Sequence, residues 1–164
     1  MNQNTSWYND KKMILNGTTY YRVSTDKWVK ASDVYIYVGN NTYVRVYQNT
    51  LGELVNAHGS TVSRELKSST DWKSDRAANI NGEKYYRVAT NEFVKASDVY
   101  EYSYDSPIVS TTKTTVVYDE RGNAVSTQLP TNSSYKTDRY EMINGEKYYR
   151  IATDQFVKAE DVNL

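Results

Sequence analysis

One phrase, written three times, constrains this chain more than any other feature. "NGTTYYRVSTDKWVKASDVY" fills residues 16–35, "NGEKYYRVATNEFVKASDVY" residues 81–100, and "NGEKYYRIATDQFVKAEDVN" residues 144–163. The Asn-Gly pairs recur at separations of 65 and 63 residues. Self-similarity at such a period means that one supersecondary unit is used repeatedly. The likeness also reaches back from each turn. Trp7, Trp72 and Tyr135 lie nine residues before their Asn, and Asp10-Lys11, Asp75-Arg76 and Asp138-Arg139 begin six residues before it.

Within the phrase, each stretch names a local structure. Asn-Gly before an alternating run is a two-residue hairpin turn, because both central positions of that turn want φ > 0. "KYYRV" alternates, with Tyr86 and Val88 on one face and Tyr85 and Arg87 on the other. "ASDV" reads as one helical or 3₁₀ turn in which Ser97 or Asp98 bonds nearby backbone amides. Upstream, "TYVRVYQNTLGELV" (residues 42–55) and "TTVVYDERGNAV" (residues 114–125) each read as strand, Gly-containing turn and strand. From Tyr47 and Tyr118 to the next Asn-Gly, the second unit is longer than the third, 34 residues against 26. The surplus reads as a longer loop around "HGSTVSREL". The expected architecture is all-β: tandem small SH3-like barrels with short 3₁₀ turns. Residues 1–38 form a partial unit, the back half only; 42–102 and 113–164 are complete units; 103–112 is a linker. The incomplete first unit leaves an open edge, a place where self-association can occur.

The apolar pattern suggests a register. A three-residue loop of Thr90, Asn91 and Glu92 sets Val88 opposite Val94, both inward with Tyr86. It also sets Arg87 opposite Lys95 on the outer side, beside Tyr85. Arg22 with Lys30 and Arg150 with Lys158 repeat the pair, beside Tyr20 and Tyr148. Directly opposed cations are unfavourable unless something anionic lies between them. Three accounts stand open: an internal carboxylate, with Asp75 or Asp98 and their counterparts as candidates; an external anion such as phosphate over the tyrosine; or solvated charge. A guanidinium fork beside a flat ring suits phosphate or sugar. Trp28, Phe93 and Phe156 share one position, facing either the cations or an end of the core. Trp7, Trp72 and Tyr135 are equally open between packing and ligand contact.

Composition narrows the chemistry. The 17 tyrosines suit strands and carbohydrate-contacting surfaces alike. Twenty basic and twenty acidic residues give no net charge, so no general hold on nucleic acid is expected. There is no cysteine, and no stretch approaches the ~18 apolar residues of a membrane span. "NQNTSW" after Met1 lacks the basic and apolar regions of a signal peptide. His58 is the only histidine and sits in a polar loop, so a catalytic triad has no base. "DERGN" (residues 119–123) reads as a hairpin turn rather than a calcium loop. Neither enzymatic activity nor a metal or other cofactor is expected.

The pattern Asp-basic, then "NG-x-x-YYRV-x-T-x-x-[WF]-VKA-x-DV", preceded by "V-x-VY…G", resembles the bacterial surface-layer protein (SLAP) domain, the wall-anchoring repeat of lactobacillus-type S-layer and S-layer-associated proteins. The resemblance covers nearly the whole chain. It implies SH3-like modules that attach a parent surface protein non-covalently to the Gram-positive wall, an extracellular location, and teichoic acid or a related wall polymer as ligand. A phosphate-linked polyol fits the tyrosine, arginine and lysine faces. Zero net charge argues against a purely electrostatic anchor, although residues 1–41, with five basic and three acidic groups, are the most basic part. Two other roles are open: assembly within a surface lattice, and an adhesin contacting host or neutral glycans through tyrosine and tryptophan.

Overall fold

The computed structural model describes residues 5–164; residues 1–4, part of the "NQNTSW" stretch among them, lie outside the described residues. The architecture is all-β with short 3₁₀ turns. The first phrase folds as β1 (Lys12–Leu15), β2 (Thr18–Ser24) and β3 (Lys27–Lys30), a separate three-stranded sheet. There follow β4 (Ile36–Val46), β5 (Gly52–Val55), β6 (Thr61–Leu66), β7 (Asp71–Ile80), β8 (Glu83–Ala89) and β9 (Glu92–Lys95). The third region holds β10 (Val99–Tyr104), β11 (Ile108–Ser110), β12 (Thr115–Tyr118), β13 (Ala124–Leu129), β14 (Ser134–Lys136), β15 (Arg139–Ile143), β16 (Glu146–Ala152) and β17 (Gln155–Lys158). Ala31–Asp33, Ala96–Asp98 and Ala159–Asp161 are the 3₁₀ turns.

The Asn-Gly turns are formed as expected. Asn16, Asn81, Asn144 and the glycine after each adopt positive φ, and they join β1 to β2, β7 to β8 and β15 to β16. In the 3₁₀ turns the expected side-chain bond to a backbone amide is not made. Ser97 Oγ donates instead to the Asp98 carboxylate at 3.0 Å.

The hairpin expected over residues 42–55 is not formed. β4 pairs with β7 and β10, whereas β5 pairs with β6 and β9. The true counterpart of the β12–β13 hairpin is therefore β5–β6, turning through "NAHGS", the segment read from sequence as a surplus loop. With Val55 matched to Tyr118, both lie 26 residues before their Asn-Gly, and the apparent length difference vanishes. Tyr47 and Tyr118 look alike in sequence, but Tyr47 follows the end of β4 whereas Tyr118 closes β12.

One sheet runs β13-β12-β17-β16-β15-β10-β4-β7-β8-β9-β5-β6. β10 joins its two halves, pairing with β4 on one side and β15 on the other. No sheet closes into a barrel among the described residues. The second half curls nonetheless: Val44 and Val46 on β4 and Leu66 on β6 share one buried cluster with Leu54, Tyr86 and Val94. A corresponding cluster in the third region gathers Val109, Val117, Leu129, Tyr149 and Val157.

The opposite face of β8–β9 is packed as well. Phe93, Ala78 and Ile80 are buried there under Tyr35 and Tyr37, at the junction between first and second phrases. Phe156, Tyr148, Tyr100 and Tyr102 form the matching junction between second and third. The sheet thus buries both faces at each junction.

Candidate functional site

The register around the expected site differs from the sequence reading. The β8–β9 turn holds two residues, Thr90 and Asn91, with Asn91 at positive φ, and Val88 falls at an irregularity in the ladder, without Val94 opposite it, while still packing inward on the cluster of Tyr86 and Val94. The pairs are therefore Tyr85 with Lys95, Tyr86 with Val94, and Arg87 with Phe93. Arg87 and Lys95 share a face but do not oppose each other. β2–β3 and β16–β17 repeat this arrangement: Tyr20 with Lys30, Arg22 with Trp28, Tyr148 with Lys158, Arg150 with Phe156.

Each arginine meets an internal carboxylate. Arg87 Nε donates to Asp75 Oδ1 at 2.8 Å and a terminal nitrogen to Oδ2, a bidentate fork. Arg150 holds Asp138 in the same way, and Arg22 holds Asp10. Asp75 is thus the partner of Arg87, and Asp98 is not. The bond from Arg87 holds the Asp75 carboxyl below the usual range, against the opposing effect of burial. The acid six residues before each Asn-Gly accordingly belongs to the fold.

The lysines divide. Lys95 Nζ meets Glu83 at 2.8 Å and Lys158 Nζ meets Glu146 at 2.8 Å, each glutamate also accepting from the tyrosine hydroxyl of its own strand, Tyr85 or Tyr148. In the first unit Thr18 stands where those glutamates stand. Lys30 has no ion-pair partner among the described residues. It sits opposite Tyr20, with Arg22 and Trp28 on the same half-buried face.

The aromatic candidates also divide. Phe93 and Phe156 are core, 1% and 0% exposed. Trp72 packs on the cluster of Val44, Leu54 and Tyr86, donates to Thr70 and lies under Arg64. Tyr135 packs in the third region. Trp28 is partly covered, and Trp7 is 51% exposed, its indole N–H bonded to Thr5.

A second arrangement had no place in the sequence reading. A cleft of about 640 Å³ opens at the β4–β10–β15 junction, lined by Tyr47, Tyr100, Tyr102, Glu101, Glu120 and Glu141 among others. Beside it, Asp71 clamps Arg45 and Arg139, each at 2.7 Å, tying the two halves together. Arg139 lies over the Tyr102 ring at 4.0 Å, and Arg121 over Tyr47 at 3.7 Å. Glu141 is 2% exposed, and its Oε1 has no hydrogen-bond partner among the described residues. Burial first, then the nearby Glu120, pushes its carboxyl up to about 9. Burial likewise raises Glu120. A correct repeat alignment is the signal that finds these two: Ala57 and Ala78 stand at their positions in the second unit. Among the described residues, no group of acidic or histidine side chains is placed to hold a metal ion.

No curated protein matches the chain. Among solved structures it is similar to one described as an autolysin from Listeria monocytogenes, at 10% identity and a TM-score of 0.34, over 79% of this chain and 65% of that one. The chain thus spans less than two thirds of that protein's length, and so remote a likeness carries no argument. A family model described as Surface layer protein A domain matches residues 2–32, 53–97 and 107–160, one block on each copy of the phrase. These blocks cover well over half of the sequence, and the chain belongs to the surface layer protein A domain family.

Proposed function

We propose that the chain is a non-covalent anchoring module, not a catalyst, that holds a bacterial surface protein to an anionic polymer of the Gram-positive wall, teichoic acid or a related phosphate-linked polymer. Its family makes it a surface-associated module. The observation that carries the ligand class is Lys30: with Thr18 in place of the glutamate, the Tyr20–Arg22–Trp28–Lys30 face keeps a cation unneutralised beside flat rings. The Arg87–Lys95 and Arg150–Lys158 faces carry their own carboxylates, so they contribute weaker secondary contacts, and linkage of unequal sites on one polymer adds avidity. The SH3-like description of each full unit belongs to this reading, with the curled sheet around Val44, Leu66 and Tyr86 as its support.

Purified walls test the proposal by pull-down before and after teichoic acid extraction. Binding should fall sharply on extraction and weaken with salt. Equal capture by stripped walls would exclude that ligand.

A second reading, self-association, has its own observation. β9 is covered by β5 and β7 by β4, whereas β3 and β1 each keep an unpaired outer edge among the described residues. Concentration-dependent sedimentation without wall material would support it; a constant monomer mass would end it.

A further inference from the structure

The two inter-phrase junctions are built alike and differ in chemistry. In the first, Ala78 lies between Tyr37 and Tyr85 across the strands; in the second, Glu141 lies between Tyr102 and Tyr148. Ala57 N–H donates to the Asn91 side chain at 2.9 Å, as Glu120 N–H donates to Asp154 at 3.0 Å. Two alanines of an apolar junction are thus replaced by two glutamates in a tyrosine-lined cleft. A buried carboxyl without a partner costs stability, and the sister junction shows that alanine suffices for packing.

We infer that this cleft is a binding site for an organic ammonium ion that carries N–H, a primary amine. Oε1 of Glu141 lacks a donor, and an ammonium N–H supplies one. The faces of Tyr47, Tyr100 and Tyr102 add the attraction of aromatic rings for a cation, an interaction Arg121 and Arg139 already make with two of them. Three carboxylates line the cleft against one guanidinium, that of Arg121, so its balance is acidic. Glu101 is engaged by Lys84 and Tyr86, and Glu120 Oε1 accepts from the Gln48 N–H, which leaves Glu141 and the other oxygen of Glu120 to meet the ligand. The charges facing Glu141 are Glu120 and Asp119 from the β12–β13 turn, Asp154 from the β16–β17 turn, and Arg139 on its own strand. Binding a cation there displaces the Glu141 proton to solvent. This site is separate from the Lys30 face and stands whether or not that face binds an anion.

The test titrates the whole chain with ethylammonium chloride at constant ionic strength, read by tyrosine fluorescence, with tetramethylammonium, potassium and glycerol in parallel. A saturable ethylammonium response is expected, about tenfold weaker for tetramethylammonium and lost in Glu141→Gln. Apparent affinity should rise about tenfold per pH unit from pH 6 to 9, as one proton leaves for one cation bound. Glu120→Ala, which restores the residue of the sister junction, should weaken binding at least tenfold while the protein stays folded. Glucosamine and a lysine tripeptide, as further arms, separate a sugar-borne amine from a protein-borne one, and a response to either supports the site. An equal response to potassium or glycerol, unchanged binding in Glu141→Gln, or no saturable response at all would overturn it.

Discussion

Glu141 allows a stability prediction that can be worked through from its surroundings. Its carboxyl is 2% exposed, has an unpartnered oxygen, and titrates near 9 instead of 4.5 because burial and the neighbouring acids disfavour its charge. Below pH 4.5 the group is protonated in folded and unfolded chains alike and costs nothing through ionisation. Between 4.5 and 9 the unfolded chain releases the proton while the folded one keeps it, so stability falls steadily as pH rises. At pH 7 the loss amounts to about 3 kcal/mol, and above pH 9 it levels at about 6 kcal/mol, taking ~1.4 kcal/mol per pH unit. Glu141→Gln keeps the shape and cannot ionise. Urea unfolding of both proteins at pH 4.5, 7 and 9 should give near-equal stability at the lowest pH. At pH 7 the variant midpoint should be higher by about 1.5 M, for a slope of about 2 kcal/mol/M. A difference that stays constant across pH, or a variant less stable at pH 7, would refute the reasoning. The latter would mean that Glu141 is charged in the fold and paired.

Further tests address other parts of the molecule. Thr18→Glu supplies Lys30 with the partner its sister lysines have; wall binding should drop several-fold with an unchanged circular dichroism spectrum, and unchanged binding would move the ligand off that face. Asp71→Ala leaves Arg45 and Arg139 buried without their shared carboxylate and should cost about 3 kcal/mol in denaturant unfolding. Asp71 is itself held low, with Arg139 and Arg45 outweighing the effect of burial, so its contribution should fade as pH falls below the ordinary carboxylate range, bringing wild type and Asp71→Asn together in acid. Phe156→Ala, emptying the second junction, should cost about 4 kcal/mol.

Much of the local structure was legible because its causes are local. Asn-Gly imposes its turn through backbone φ alone, and the alternation of Tyr86 and Val94 against Tyr85 and Lys95 assigns faces without reference to distant strands. The 42–55 hairpin failed because "VRVY" and "TVVY" look alike while pairing with different partners: the first lies against β7 and β10, the second against β13 and β17. Sequence likeness over four residues cannot distinguish strands whose difference is tertiary. Opposed cations require a three-residue loop, whereas the chain makes a two-residue turn and absorbs the difference at an irregularity around Val88. Around the candidate site, the alternation places Tyr85, Arg87 and Lys95 on one face and offers Asp75 as an internal partner of Arg87, as the structure has them. The burial of Phe93 and Phe156 depended on Tyr35, Tyr37, Tyr100 and Tyr102 arriving from the segments after each phrase.

The repeat also separates folding from function in a way opposite to first impressions. The residues common to all three copies, Arg22, Arg87 and Arg150 with their aspartates, bond to one another inside the structure. What any copy shares with its sisters answers the needs they share, namely a turn, a ladder and a clamp. Binding chemistry has to be sought where equivalent positions diverge although the backbone does not. Thr18 against Glu83 and Glu146 frees one lysine; Glu120 and Glu141 against Ala57 and Ala78 introduce two buried acids. Neither divergence is required by a strand or a turn, since the sister units make the same pairs without it. The proposed anion at the first unit rests on one divergence and the proposed cation at the last junction on the other, two sites of opposite preference in a chain of no net charge.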